Sequence, residues 1–316
     1  MVDLVQGIFL IALGATVGLA VGFTGIGGAV LMTPSLIILF GFSAIVAIAI
    51  DIPYAATTKT VAVFQHARQD NLRKDVAKYF IIGGLPGITT GIIVLLTLRT
   101  FIEPEAVNRG LNIVIGAILV CVATATIVQV YKSYKEEIML QKQHLDPPLA
   151  DKSPTQPLNS ENVSDHAQYP PAPCYETQGN ADSALQMKNS CKMLAIGLGA
   201  LIGAVVGFTS IGSGTLITVS LIVVFRMQGR HLVGTDLLIA WAMLTLGATI
   251  YFLSEWTRDF EFYIPVILLL LLGSIPGTYL GSKLTNYASD SMLKGTIAIL
   301  IWITGIVMIL QGFSLF

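Results

Sequence analysis

The sequence predicts an all-α polytopic membrane protein built from two inverted repeats of about five hydrophobic segments each. Three observations predict it: too little charge for a soluble chain, apolar segments of membrane-spanning length, and a long internal match. Of 316 residues, 54% are hydrophobic and only 12% charged, at a mean hydropathy of +0.75. A soluble chain carries roughly 25% charged residues, so these charges cannot cover the surface of a soluble domain this long. The net charge of −1 offers no basic footprint for nucleic acid. Cys121, Cys174 and Cys191 are far apart and unpatterned, which suggests neither a disulfide framework nor a zinc site.

A helix needs roughly 20 apolar residues to cross the hydrocarbon core. Such segments fall near 4–22, 43–66, 77–98 and 105–130, and again near 193–209, 232–254, 260–281 and 292–311. Two further segments, 29–40 and 214–225, hold only about 12 residues and reach about 18 Å at 1.5 Å per residue. They are expected to be half-helices or re-entrant pieces unless flanking residues extend them, which puts the count at 8–10 membrane segments. The division is then 1–130 as the first membrane repeat, 131–192 as a linker and 193–316 as the second repeat. The linker holds seven of the thirteen prolines amid Ser, Asn, Gln and Asp, and it is expected to be mostly disordered. Asn162-Val163-Ser164 is a glycosylation triplet of the kind that arises readily by chance.

Charge placement predicts sidedness. With the N-terminus outside, twelve basic residues fall on inner loops: Arg68, Arg73, Lys74, Lys78, Lys132, Lys135, Lys188, Lys192, Arg226, Arg230, Lys283 and Lys294. Only Arg99, Arg109 and Arg258 fall outside, a clear positive-inside asymmetry. Both termini are therefore expected outside and the linker in the cytoplasm. No basic stretch precedes the first apolar run, so that run is expected to be a retained helix, not a cleaved signal.

The halves repeat at a constant offset. Gly14 to Leu31 reads GATVGLAVGFTGIGGAVL and Gly199 to Leu216 reads GALIGAVVGFTSIGSGTL, identical at ten of eighteen positions with a shift of 185. The same shift carries Asp51 onto Asp236, and GGLPGITTG at Gly83 matches GSIPGTYLG at Gly273. An odd number of segments per half implies opposite orientations in the membrane, an arrangement many secondary transporters use. Most of these glycines recur every four residues, the small-xxx-small spacing that lets helix backbones approach closely in lipid. Pro86 and Pro276 each remove an amide donor from their helix, which makes a kink or a hinge there.

Two glycine clusters break that spacing. Phe23-Thr24-Gly25-Ile26-Gly27-Gly28 and Phe208-Thr209-Ser210-Ile211-Gly212-Ser213 each fall where a long segment gives way to a short one. A helix break at membrane depth is tolerated only within protein or beside a polar cavity. The following helix would present free amides and the positive end of its dipole, so two such ends could form a midplane anion site. A tight helical turn with no ligand is the other reading. No strand precedes the glycines and their spacing is not that of a nucleotide loop.

The third segment carries Asp51, Tyr54, Thr58, Lys59, Gln65 and His66 on one helical face. Charges at membrane depth are costly and face a cavity or a partner. Lys59 is placed to attract an anion, or to form a structural ion pair with Asp51. Asp51 and Asp236 are candidates for helix capping or for proton coupling. Solvated histidines are expected at His66 and His231, near the inner mouth.

These motifs resemble the sulfite exporter TauE/SafE permeases. The resemblance rests on GFTGIGGAVLMTP (Gly22 to Pro34), DIPYAATTK (Asp51 to Lys59), GGLPG (Gly83 to Gly87), VGTD (Val233 to Asp236) and GSIPG (Gly273 to Gly277). It covers both membrane halves and leaves out the linker. It implies a bacterial inner-membrane (plasma-membrane) permease moving sulfite, sulfonates or related anions, with members that export and members that import. The long linker, and Ser210 and Ser213 in place of first-half glycines, depart from the pattern.

Together these readings point to a secondary transporter of a small sulfur-containing anion held at the midplane. Substrate-binding residues would be Thr24, Gly25, Gly27 and Gly28 in the first break, Thr209, Ser210, Gly212 and Ser213 in the second, and Lys59 as countercharge. Asp51 and Asp236 are the candidates for proton coupling. An anion channel with the same site but no alternating access is the alternative. No cofactor, metal or nucleic acid is expected, and no nucleophile–base grouping suggests an enzyme. The expected partners are the anion and membrane lipid, with homo-oligomerisation and a partner for the linker left open. No P-loop is present, so the driving force would be a gradient or a partner protein.

Overall fold

Among the described residues, ten helices form where apolar runs are bounded by glycine, proline or charge. The computed structural model describes residues 4–24, 29–68, 72–145, 175–176, 186–227, 229–254, 257–284 and 290–314. In the first half these are α1 (Leu4–Thr24), α2 (Ala29–Phe40), α3 (Ala44–Arg68), α4 (Lys74–Phe101) and α5 (Pro104–Leu145). The second half has α6 (Asn189–Thr209), α7 (Thr215–Val223), α8 (Gly229–Leu253), α9 (Thr257–Leu284) and α10 (Asp290–Ser314). Each lies within a few residues of its predicted segment, with one exception. The fifth helix continues to Leu145, fifteen residues into the stretch read from sequence as linker. Beyond it, the described part of that stretch before α6 is a two-residue antiparallel pair, β1 (Tyr175–Glu176) with β2 (Gln186–Met187).

The protein is an all-α polytopic membrane protein. Seven of the helices (α1, α3, α4, α5, α6, α8 and α9) are long and apolar enough to cross a membrane. By contrast, α2 and α7 have 12 and 9 residues, short of a full span. Apolar side chains on the outer faces, such as Ile8, Phe9, Leu268 and Leu272, are well exposed and suit a lipid environment. The least apolar span is the most buried. Along its span α3 is 71% buried, against 28% to 39% for the other six, because polar groups at membrane depth must be enclosed by protein.

Glycine dictates which helices meet. A Cβ at Gly83, Gly87 or Gly91 would lie 1.9 to 2.3 Å from the carbonyl oxygens of Ile196, Ala200 and Ala204 on α6. Facing them, Gly199, Gly203 and Gly207 leave no room against the carbonyls of Phe80, Gly84 and Ile88. The pair α1 and α9 repeats this contact: Gly14 meets Leu270, Gly18 meets Ser274, Gly273 meets Ile11 and Gly277 meets Ala15. Adding 185 to the α1 numbers and subtracting 190 from the α9 numbers turns these four contacts into four of the six between α4 and α6. Gly116 of α5 and Gly305 of α10 each abut the other's carbonyl, and contacts that rise along α5 descend along α10, so these two helices run antiparallel. Both α4 and α9 run as continuous helices through Pro86 and Pro276.

Cys191, in the first turn of α6, is disulfide-bonded, whereas Cys121 is free. The spacing of the three cysteines had suggested no pairing. A disulfide forms by proximity in the fold, which sequence separation does not report.

Candidate functional site

The second glycine cluster is a helix break. After Thr209 the chain turns through Ser210 at φ 62° and Gly212 at φ 100°, then re-enters a helix at Thr215. Glycine adopts positive φ without strain, whereas serine does so only at a cost. The Thr209 hydroxyl stabilises the turn by donating to the Val205 carbonyl at 2.7 Å and accepting from the Ile211 amide at 3.3 Å. All of 209–215 is buried. The first cluster, with Gly25, Gly27 and Gly28, lies outside the described residues, and of Thr24 only its place at the end of α1 is described.

Three charged side chains are buried among the described residues: Asp51, Lys59 and Asp236. Asp51 and Lys59 stand on α3, and Asp236 on α8 beside it. The Lys59 ammonium donates to the Ser213 carbonyl at 3.0 Å, joining the first half of the chain to the break of the second. Both carboxylates act on this ammonium, Asp236 more strongly than Asp51. Neither forms a direct ion pair with it; a direct ion pair is seen at the exposed Arg73–Asp75.

Each carboxylate has a threonine from the short helix of its own half. The Thr33 hydroxyl on α2 donates to Asp51 Oδ2 at 2.8 Å. The Thr218 hydroxyl on α7 stands beside Asp236 as its hydrogen-bonding neighbour. Thr33 and Thr218 are themselves 185 residues apart, the offset of the repeat. Asp51 has one donor more, because the Ser210 hydroxyl reaches Oδ2 from the opposite half. The counterpart of Ser210 is Gly25, which has no hydroxyl to give to Asp236. Among the described residues, four buried oxygens here have no hydrogen-bond partner: Asp51 Oδ1, Asp236 Oδ1, Ser213 Oγ and Thr215 Oγ1. Buried polar atoms without partners are uncommon in folded proteins, which makes this the candidate site.

The structure therefore brings Asp51, Lys59, Ser210, Gly212, Ser213 and Asp236 into one buried region, with Thr209 closing its edge. Sequence reading had not named Thr33, Thr215 or Thr218. The signal for two of them was present, since running the ungapped match two residues further aligns Thr33 with Thr218. Of the polar face of α3, Tyr54 is buried with Asp51 and Lys59. Thr58 bonds to the carbonyls of its own helix, and the side chains of Gln65 and His66 lie outside the described residues. His231 is exposed. No group of His, Cys, Asp and Glu among the described residues could hold a metal ion.

The family model for the sulfite exporter TauE/SafE matches residues 10–308, both halves and the stretch between. The chain belongs to this family. Relatives agree: the probable membrane transporter protein YjnA of Bacillus subtilis is 30% identical over 300 residues, 95% of this chain and 98% of its own. The probable membrane transporter protein YdhB of the same organism is 30% identical over 115 residues, 36% of this chain and 45% of its own. No solved structure matches. With its seven spans, the chain is an integral membrane protein and a membrane transporter of the TauE/SafE family.

Proposed function

We propose that this family member is a secondary transporter of a small sulfur-containing anion, sulfite, an organosulfonate or a close analogue. The anion sits between the two Gly/Ser breaks at Gly25, Gly27 and Gly28 and at Ser210, Gly212 and Ser213. The observation that carries this reading is Lys59, the one buried lysine or arginine among the described residues, with its ammonium on the Ser213 carbonyl of the break. An ammonium has three donors, so Lys59 can keep the break and still meet an oxyanion. Thr24 and Thr209 are the last residues of the helices that lead into the breaks. The chemistry asked of the protein is binding and movement, not catalysis.

The halves act as inverted repeats that alternate access to the two sides. Supporting this are the glycine contacts that recur under a fixed offset, and the antiparallel meeting of the equivalent helices α5 and α10 at Gly116 and Gly305. The excess of basic residues on one set of loops supports a cytoplasmic linker and external termini.

The test is uptake of sulfite, sulfate, thiosulfate, taurine and sulfoacetate into proteoliposomes holding the purified chain. Saturable uptake with counterflow is expected, and Lys59→Ala should abolish it while the protein still purifies as a folded species. Undiminished transport by Lys59→Ala would overturn the assignment, and single-channel currents without counterflow would make the protein a pore.

A further inference from the structure

We propose that anion transport is coupled to a proton carried by Asp236, taken up as Lys59 turns from the carboxylates to the substrate. This rests on reading the chain as an anion carrier with Lys59 as countercharge, and it names the coupling ion of that same site.

The charge count makes the demand. Fully ionised, Asp51, Asp236 and Lys59 together carry one negative charge in excess in a buried region. An arriving anion would add another. Unpaired buried charge is strongly unfavourable at membrane depth, and a carboxylate so placed is neutralised by a proton. A site with this composition admits an anion only together with positive charge.

The hydrogen bonding says which carboxylate accepts it. Asp51 is held by two hydroxyl donors, Thr33 from its own half and Ser210 from the other, and these offset its charge whatever Lys59 does. Among the described residues Asp236 has one hydroxyl donor, Thr218, and the repeat counterpart of Ser210 is a glycine, Gly25, which has no hydroxyl. Its countercharge is Lys59, and its Oδ1 has no partner. When the ammonium turns to the anion, Asp236 is the group left uncompensated.

The groups facing Asp236 are few. From α3 comes Lys59, on which Asp51 also acts; α7 carries no ionisable residue and offers Thr218. The start of α4 reaches the neighbouring Thr235, whose hydroxyl accepts from the Arg73 amide at 3.0 Å. The Arg73 and Asp75 side chains there are paired with each other and about two-fifths exposed, at 39% and 41%. Lys59 is the charge that acts on Asp236 among the described residues.

In the step, an O–H bond forms between Asp236 and a proton from water on the side the anion enters. Lys59 keeps its three protons and pairs with the anion, and no electron is transferred. Release on the far side reverses both events. One proton and one anion therefore move together, and with a monovalent anion the charge of the site is the same when loaded as when unloaded.

The test uses the full chain in proteoliposomes with a pH dye in the lumen and the membrane potential clamped by potassium and valinomycin. The central probe is methanesulfonate, a monoanion throughout the neutral range, with the five compounds named above beside it. Lumenal acidification in proportion to methanesulfonate entry, one proton per anion, is expected. The infrared carbonyl band of a protonated carboxyl should appear on anion addition to wild type and to Asp51→Asn. It should be absent from Asp236→Asn and return, shifted, in Asp236→Glu. Anion entry without acidification would overturn the coupling and leave the carrier reading standing. A ligand-induced band that persists in Asp236→Asn would overturn the assignment to this residue. Entry of none of these compounds would overturn the carrier reading and this inference with it.

Discussion

Replacing Gly83 with alanine tests the idea that glycine contacts, not apolar packing, hold the two halves together. The new Cβ would lie 1.9 Å from the Ile196 carbonyl oxygen, 1.5 Å inside the 3.4 Å floor of ordinary contact. The obstacle is backbone, so no rotamer change relieves it and α4 must move away from α6. Overpacking of this kind costs about 1–3 kcal/mol, and a rigid backbone neighbour puts Gly83→Ala at the upper end. Alanine recovers about 0.5–1 kcal/mol of helix propensity, which leaves a net loss of about 2 kcal/mol. At roughly 2–4 °C per kcal/mol for a large domain, the unfolding midpoint should fall by about 4–8 °C. Gly110 of α5 and Gly197 of α6 supply the control, since nothing lies within 4 Å of either Cβ position. There the same substitution should raise stability by about 0.5–1 kcal/mol through propensity alone. Gly273→Ala, whose Cβ would stand 2.0 Å from the Ile11 carbonyl, should behave like Gly83→Ala. The assay is thermal unfolding of the purified variants in one detergent. If Gly83→Ala proves as stable as Gly110→Ala, the glycine stripes do not set the helix contacts and the argument fails.

Other substitutions separate folding from function. Ser213→Ala removes a buried hydroxyl with no partner, so its midpoint should hold or rise while the KM for anion uptake increases. Equal loss of both would make the hydroxyl structural. Thr33→Val deletes a donor to a charged acceptor and should cost about 1.5–3 kcal/mol by thermal unfolding. At Ser210, alanine and glycine lose the same hydrogen bond to Asp51, but only alanine keeps a side chain at φ 62°. Ser210→Ala should therefore be the less stable by about 1 kcal/mol, and equal midpoints would contradict the strain. Sidedness can be read at Cys191 of α6. The orientation proposed from the basic residues would put it inside, whereas its disulfide suits an oxidising compartment. After reduction, an impermeant maleimide added to intact cells should fail to label it; labelling would reverse the orientation.

Much of the architecture could be read from residues alone, because its signals are local and periodic. Ten apolar runs gave ten helices, and the shortness of 29–40 and 214–225 recurs in α2 and α7. The glycines at every fourth position of α1, α4, α6 and α9 are those on which helix backbones meet. The reach of α5 to Leu145 was missed because composition speaks to burial, and a helix can continue into water without burying anything. The site was legible by residue type: Asp51, Lys59 and Asp236 are conspicuous simply as charges in apolar segments.

What the sequence by itself determined was where the chain crosses, where it breaks, and which charges must be enclosed, since each follows from the cost of polar groups in hydrocarbon. Only the tertiary structure decided their partners. Ser210 meets a carboxylate 159 positions away, and Lys59 meets a carbonyl 154 away. Those pairings depend on how α3 sits against α8 and the second break, and hydrogen bonds are decided over a few tenths of an ångström, a scale that periodicity along the chain does not encode.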